Sequence, residues 1–110
     1  MTDGPTYGFD TLQIHAGARP DPATGARQTP IHQSTAFVFR DSDHAAALFN
    51  LQEVGFIYSR LTNPTIAVLQ ERIATLENGV GAVCCSSGHA AQIMALFPLM
   101  QPGCNVVASN

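Results

Sequence analysis

Val83-Cys84-Cys85-Ser86-Ser87-Gly88-His89-Ala90-Ala91-Gln92 reads as a buried strand that breaks at a glycine-containing turn directly into a helix. At a helix start the first backbone N–H groups lack intrahelical acceptors and the macrodipole concentrates positive charge. Such a turn is therefore a ready seat for an anion, above all a phosphate. Ser86 and Ser87 offer capping hydroxyls, and Gly88 permits close backbone approach or an unusual dihedral angle. A Ser-Ser-Gly turn taken alone is more often a plain cap than a ligand site, so the motif by itself leaves both readings open.

Outward from that turn, Gly81 to Cys85 has the length and apolar content of a strand, and a helix is expected from about Gly88 to Met100, with Pro98 tightening its last turn. Gln101-Pro102-Gly103 is a turn, after which Asn105-Val106-Val107-Ala108-Ser109 begins a second strand. A strand–helix–strand unit implies a right-handed crossover into a parallel sheet, and two strands are not a stable sheet. All charged residues, five arginines and eight carboxylates, lie between Asp3 and Glu77. The uncharged run from Asn78 onward is too often interrupted by Ser86, Ser87, Gly88, His89, Gln92, Pro98 and Pro102 to be a membrane span. It fits a unit covered on most sides, which 110 residues offer little surface to do. The expectation is that the chain is part of something larger.

Upstream, Thr62-Asn63-Pro64-Thr65 is a helix-start signature, with Asn63 as N-cap and Pro64 at the first helical position. The helix runs to about Leu76, with Ile66, Leu69, Ile73 and Leu76 on one stripe expected to be core, and Asn78-Gly79 closes it. Before it, Gly55-Phe56-Ile57-Tyr58-Ser59-Arg60-Leu61 reads as extended, so that Tyr58 and Arg60 share a face and can clamp one oxyanion. The alternative is a solvated edge with an incidental arginine. Residues 1 to about 40 are punctuated by Gly4, Pro5, Gly8, Gly17, Pro20, Pro22, Gly25 and Pro30 and read as an extended arm lying on another surface. Asp41-Ser42-Asp43 then caps a short helix over His44–Phe49.

An apolar share of 45% predicts a globular chain with a core. A net charge of −3 without any basic cluster argues against nucleic acid and against a polybasic membrane anchor. Met1-Thr2-Asp3-Gly4-Pro5 has neither a basic nor an apolar leader region, so a cytoplasmic location is the default. Three cysteines make no disulfide framework; Cys84 and Cys85 read as small buried residues, and no ligand spacing for a metal is present. There is no lysine, so no side-chain amine of these residues does chemistry.

Gly55–Thr65 and Ser86–Ala91 together resemble the cystathionine-synthase/lyase-like family of fold-type I pyridoxal-phosphate enzymes. Thr11–Gly17 resembles that family's opening, and Gln28–Phe37 its arm. Within the family the Leu61-Thr62-Asn63 wording, the Ser87–Ala91 turn and the Asn50–Phe56 stretch are most similar to the O-acetylhomoserine sulfhydrylases. The resemblance implies an α/β fold in which residues 1–62 form an arm with a cofactor-clamping segment, and residues 63–110 begin the parallel-sheet domain that binds pyridoxal 5'-phosphate. It implies that Gly88 and His89 present backbone N–H groups to the cofactor phosphate with Ser87 beside them. Tyr58 and Arg60 would reach the phosphate of a neighbouring subunit in a homo-oligomer, a tetramer in this family.

The implied chemistry is replacement of acetate at Cγ of O-acetylhomoserine by sulfide or a thiol, giving homocysteine or methionine. The alternatives are a cystathionine γ-synthase, a γ-lyase or a methionine γ-lyase of the same family, or a truncated product without catalysis. A nucleotide-binding domain is disfavoured because neither G-x-G-x-x-G nor G-x-x-x-x-G-K-[ST] occurs. The lysine that holds the cofactor in the family lies beyond these residues, so the isolated chain is expected to be inactive.

Overall fold

The computed structural model describes residues 6–109; Asn110 and Met1–Pro5, the stretch read for a targeting signal, lie outside them. The helices form where their caps dictate. Helix α1 spans Phe9–His15, α2 Ser42–Phe49, α3 Pro64–Leu76 and α4 Gly88–Leu96, and a 3-10 turn follows at Phe97–Leu99. Asp41 caps α2 by accepting the His44 N–H at 2.7 Å. Asn63 stands in extended backbone and accepts the Thr65 N–H at 2.9 Å, with Pro64 as the first helical residue of α3. At the other end Asn78 turns left-handed (φ 52°) and the Gly79 N–H reaches the Ala74 carbonyl at 2.8 Å, which satisfies a carbonyl that the last turn leaves open. Pro98 has no N–H to extend α4, so the chain tightens into the 3-10 turn there.

The arm is less extended than its glycines and prolines suggest. Gly8 and Gly17 leave room for two helical turns between them, and α1 fills that room and packs on α3. Arg72 Nε donates to the Ala16 carbonyl at 2.9 Å. Gly17 (φ +72°) sits so close that a Cβ there would lie 2.7 Å from the Val68 carbonyl oxygen. The rest of the arm is stitched to the start of α3. Thr65 Oγ1 donates to the Pro30 carbonyl at 2.9 Å and accepts the His32 N–H at 2.8 Å. Asn63 Nδ2 donates to the His32 carbonyl and to Ser59 Oγ, both at 2.9 Å. Antiparallel bonds from Phe37 N–H to Ile57 O (3.1 Å) and from Ser59 N–H to Thr35 O (2.9 Å) pair Ala36 with Tyr58.

Four expectations are corrected. Gly81–Cys85 and Asn105–Ser109 are not strands; among the described residues the Ala36–Tyr58 bridge is the one β pairing. A strand exists as a member of a ladder, and neither segment has a neighbour offering N–H and C=O groups. There is no core of the expected kind: Leu48, 3% exposed, is the buried apolar residue among those described, while Val80 and Val107 are open to solvent. The radius of gyration, 17.6 Å, exceeds the ~13 Å of a compact domain of this length. Ile66, Leu69 and Ile73 of the α3 stripe are exposed, because the arm takes the adjoining face at Val68 and Arg72. Cys84 and Cys85 are exposed free thiols, as is Cys104, since no second layer covers the segment carrying the pair. No helix among the described residues is long and apolar enough to cross a membrane.

Candidate functional site

The turn at the head of α4 has the properties an anion seat needs. Ser87 is extended (φ −159°, ψ 159°); its Oγ accepts the Ala90 N–H at 3.2 Å and its carbonyl accepts the Ala91 N–H at 3.0 Å. Those two bonds account for the later donors of the first turn. The N–H groups of Gly88 and His89 have no acceptor among the described residues. A Cβ built on Gly88 would meet nothing within 4 Å, so the space beside the turn is open. Two free donors at the positive end of a nine-residue helix can hold a phosphate or carboxylate group. The site is made by backbone, with the Ser87 hydroxyl spent on the cap.

Tyr58 and Arg60 form the second half of the predicted set. The segment carrying them is not extended throughout. The Tyr58 carbonyl accepts N–H groups from Leu61 (2.9 Å) and Thr62 (3.0 Å), so the chain turns immediately after the Ala36–Tyr58 bridge. That turn lays the Arg60 guanidinium over the Tyr58 ring, with its carbon 5.0 Å from the ring centroid. The two side chains lie together through a turn and a cation–π stack, where strand alternation was expected. Arg60 has no carboxylate partner among the described residues, which leaves its forked donors free. Within one chain the two halves stay apart: among the described residues no hydrogen bond, ion pair or aromatic contact joins residues 83–109 to Tyr58 or Arg60.

Residues 10–110 match the family described as Cys/Met metabolism PLP-dependent enzyme. The chain belongs to that family. Against an O-acetyl-L-homoserine sulfhydrylase of Thermus thermophilus it is 52% identical over 101 residues, 92% of this chain and 24% of the relative. A crystal structure from Campylobacter jejuni, assigned as an O-acetylhomoserine (thiol)-lyase and holding a pyridoxyl-lysine monophosphate, superimposes with a TM-score of 0.79. That match has 43% identity and covers 84% of this chain and 22% of that one. A cystathionine γ-synthase structure from Xanthomonas oryzae gives a TM-score of 0.75 at 32% identity, covering 90% of this chain and 24% of that one. The chain thus spans about a quarter of the length of the relatives it matches, and its fold is that of the opening part of fold-type I pyridoxal-phosphate enzymes.

The cofactor of this family is pyridoxal 5'-phosphate, and the residues present fit its phosphate. The Gly88 and His89 donors are free, the space beside Gly88 is open, and the helix places its positive end there. They do not supply an amine for its aldehyde, because the chain has no lysine. Sequence reasoning marked Asn63 as a cap and missed its larger task of holding the arm that carries Tyr58. Its other partners, His32 and Ser59, are distant or unremarkable in sequence, and nothing in a local pattern announces them.

Proposed function

We propose that this chain supplies the cofactor-phosphate cradle of an O-acetylhomoserine sulfhydrylase, which replaces acetate by sulfide or a thiol to form homocysteine or methionine. In this reading residues 1–62 are the arm and residues 63–110 open the cofactor domain. The backbone N–H groups of Gly88 and His89 hold the phosphate, and Ser87 fixes the turn that aims them. Tyr58 and Arg60 close on the phosphate of a neighbouring copy in a cytoplasmic homo-oligomer, a tetramer. The cofactor's ring, when bound, supplies the electron sink for substitution at Cγ. These residues orient it and neutralise its phosphate.

The observation that carries the proposal is the 43% identity with the O-acetylhomoserine (thiol)-lyase structure, set against 32% with a cystathionine γ-synthase of nearly equal structural likeness, beside the 52% identity with a sulfhydrylase sequence. The test uses the full-length protein with O-acetylhomoserine and, as acceptors, sulfide or cysteine. Sulfide is expected to win by at least about tenfold, and a preference for cysteine would assign the chain to a cystathionine γ-synthase instead. Arg60→Gln is expected to weaken pyridoxal phosphate binding by about tenfold to a hundredfold, and unchanged binding would remove Arg60 from the site. The 110-residue chain alone should keep no absorbance above about 400 nm after dialysis with the cofactor. A stable band there would contradict the reading of its chemistry.

A further inference from the structure

A second group of basic side chains lies away from both half-sites, in the angle between α1, the arm and α3. His15, Arg27 and Arg72 line one cavity of about 470 Å³, together with the neutral polar residues Gln13, Gln28 and Thr29. Arg27 Nη2 lies 3.2 Å from His15 Nδ1, where the guanidinium has only N–H groups to offer. Arg72 Nε donates to the Ala16 carbonyl at 2.9 Å. Each arginine thereby spends one of five N–H groups on fixing its own position.

Among the described residues no carboxylate pairs with either one. Among the described residues the arginine ion pairs are Arg19 with Glu71 (3.6 Å) and Arg40 with Glu53 (3.2 Å). Glu71, next in sequence to Arg72, is turned toward Arg19 and does not line this cavity, and Asp10 accepts a bond from Gln13 at 3.4 Å. Two permanent cations therefore line one cavity without an acidic side chain among its described lining residues, in a chain whose net charge is −3. The volume falls in the range of small-molecule sites, and paired guanidinium forks match the geometry of carboxylate and phosphate groups. We propose that this cavity binds a small free molecule bearing a carboxylate or phosphate group, at a site separate from the helix start of α4. The proposal stands independently of the function proposed above.

The test is equilibrium dialysis of radiolabelled sulfate with full-length protein saturated with pyridoxal phosphate, which occupies the anion seat at α4. Saturable binding is expected at about one sulfate per chain, weakened at least about tenfold in Arg27→Gln and unchanged in Arg40→Gln, whose guanidinium pairs with Glu53 outside both sites. Arg27→Gln is the deciding variant because the partner it loses is a surface imidazole, whereas Arg72→Gln also loosens α1 and is interpreted only beside a circular-dichroism spectrum. Displacement of the sulfate by succinate or by inorganic phosphate supports the site. Absence of saturable binding overturns the proposal, as does binding that survives Arg27→Gln, is lost in Arg40→Gln, or yields to neither competitor. If the cofactor does not load at all, the proposed function fails while the contrast between Arg27→Gln and Arg40→Gln still reports this cavity.

Discussion

The helix starts at Asn63 and Ser87 use the same capping chemistry in opposite surroundings. Asn63 is 8% exposed, and its side chain binds the first turn of α3, the His32 carbonyl and Ser59 at once. Ser87 is exposed and caps α4 alone, and among the secondary-structure elements α4 packs only on the 3-10 turn that follows it. One cap holds a tertiary junction and the other a single helix. Among the described residues the first turn of α3 leaves one N–H without an acceptor, that of Ile66, since Pro64 has none to give, while the first turn of α4 leaves two, those of Gly88 and His89. The start of α2 also leaves two, at Ser42 and Asp43, but there the Asp43 carboxylate stands in the first turn and repels an anion, as nothing at α4 does.

Substitutions can break this contrast. Asn63→Leu removes the cap and strands the His32 carbonyl, while the Ser59 hydroxyl keeps its bond to the Ser34 carbonyl, with an expected loss of about 2 kcal/mol at the arm–α3 junction. Hydrogen exchange at His32 and Ser59 should accelerate accordingly, and unchanged protection would show that the junction is held elsewhere. Gly17→Ala puts a Cβ against the Val68 carbonyl in a left-handed conformation and should cost about 2 kcal/mol. Its effect belongs in α1 and α3, so a matching response in α4 would merge the two regions. Ser87→Ala should cost about 1 kcal/mol, visible as faster exchange at Ala90 with no change at His32. A response at His32 would mean that α4 is coupled to the arm.

The smallest effect concerns a turn inside the arm. Thr24 donates to Asp21 Oδ2 from both its hydroxyl (2.6 Å) and its backbone N–H (2.9 Å). The Thr24 hydroxyl, foremost, and the backbone bonds hold the Asp21 carboxyl below its ordinary 3.8. Because the folded value is lowered, the turn's contribution is present above that ordinary value and is lost as the pH falls through the lowered one. Carbon-detected titration of the Asp21 carboxyl should find it below 3.8, and Thr24→Ala should raise it toward that value. An unmoved titration in the variant would assign the shift to the backbone bonds alone.

Much of the local structure was legible in the residues themselves. Asp41, Asn63-Pro64 and Ser87 each start a helix where their chemistry requires, Asn78-Gly79 stops α3, and Pro98 converts the end of α4 into a 3-10 turn. These are contacts within a few positions along the chain, which is why a linear pattern carries them. Helix α1 escaped notice because glycine and proline punctuation was read as forbidding structure, when it bounded two turns of it. The predicted strands and the buried stripe of α3 failed for the opposite reason. Apolar content states what a segment prefers to bury against, and burial itself needs a partner surface to be present.

By itself, then, the sequence determined the bounds of α3, the starts of α2 and α4, the absence of a side-chain amine and the resemblance to pyridoxal-phosphate enzymes. All of these rest on residue identity and short-range hydrogen bonding. Only the tertiary structure decided that the arm lies on the Val68–Arg72 face of α3, that Asn63 holds it there, and that Arg60 stacks on Tyr58 through a turn. It alone gathered Arg27 and Arg72 around one cavity. Those outcomes depend on which groups dozens of positions apart find each other as partners, and that choice is made by packing and hydrogen-bond satisfaction in three dimensions.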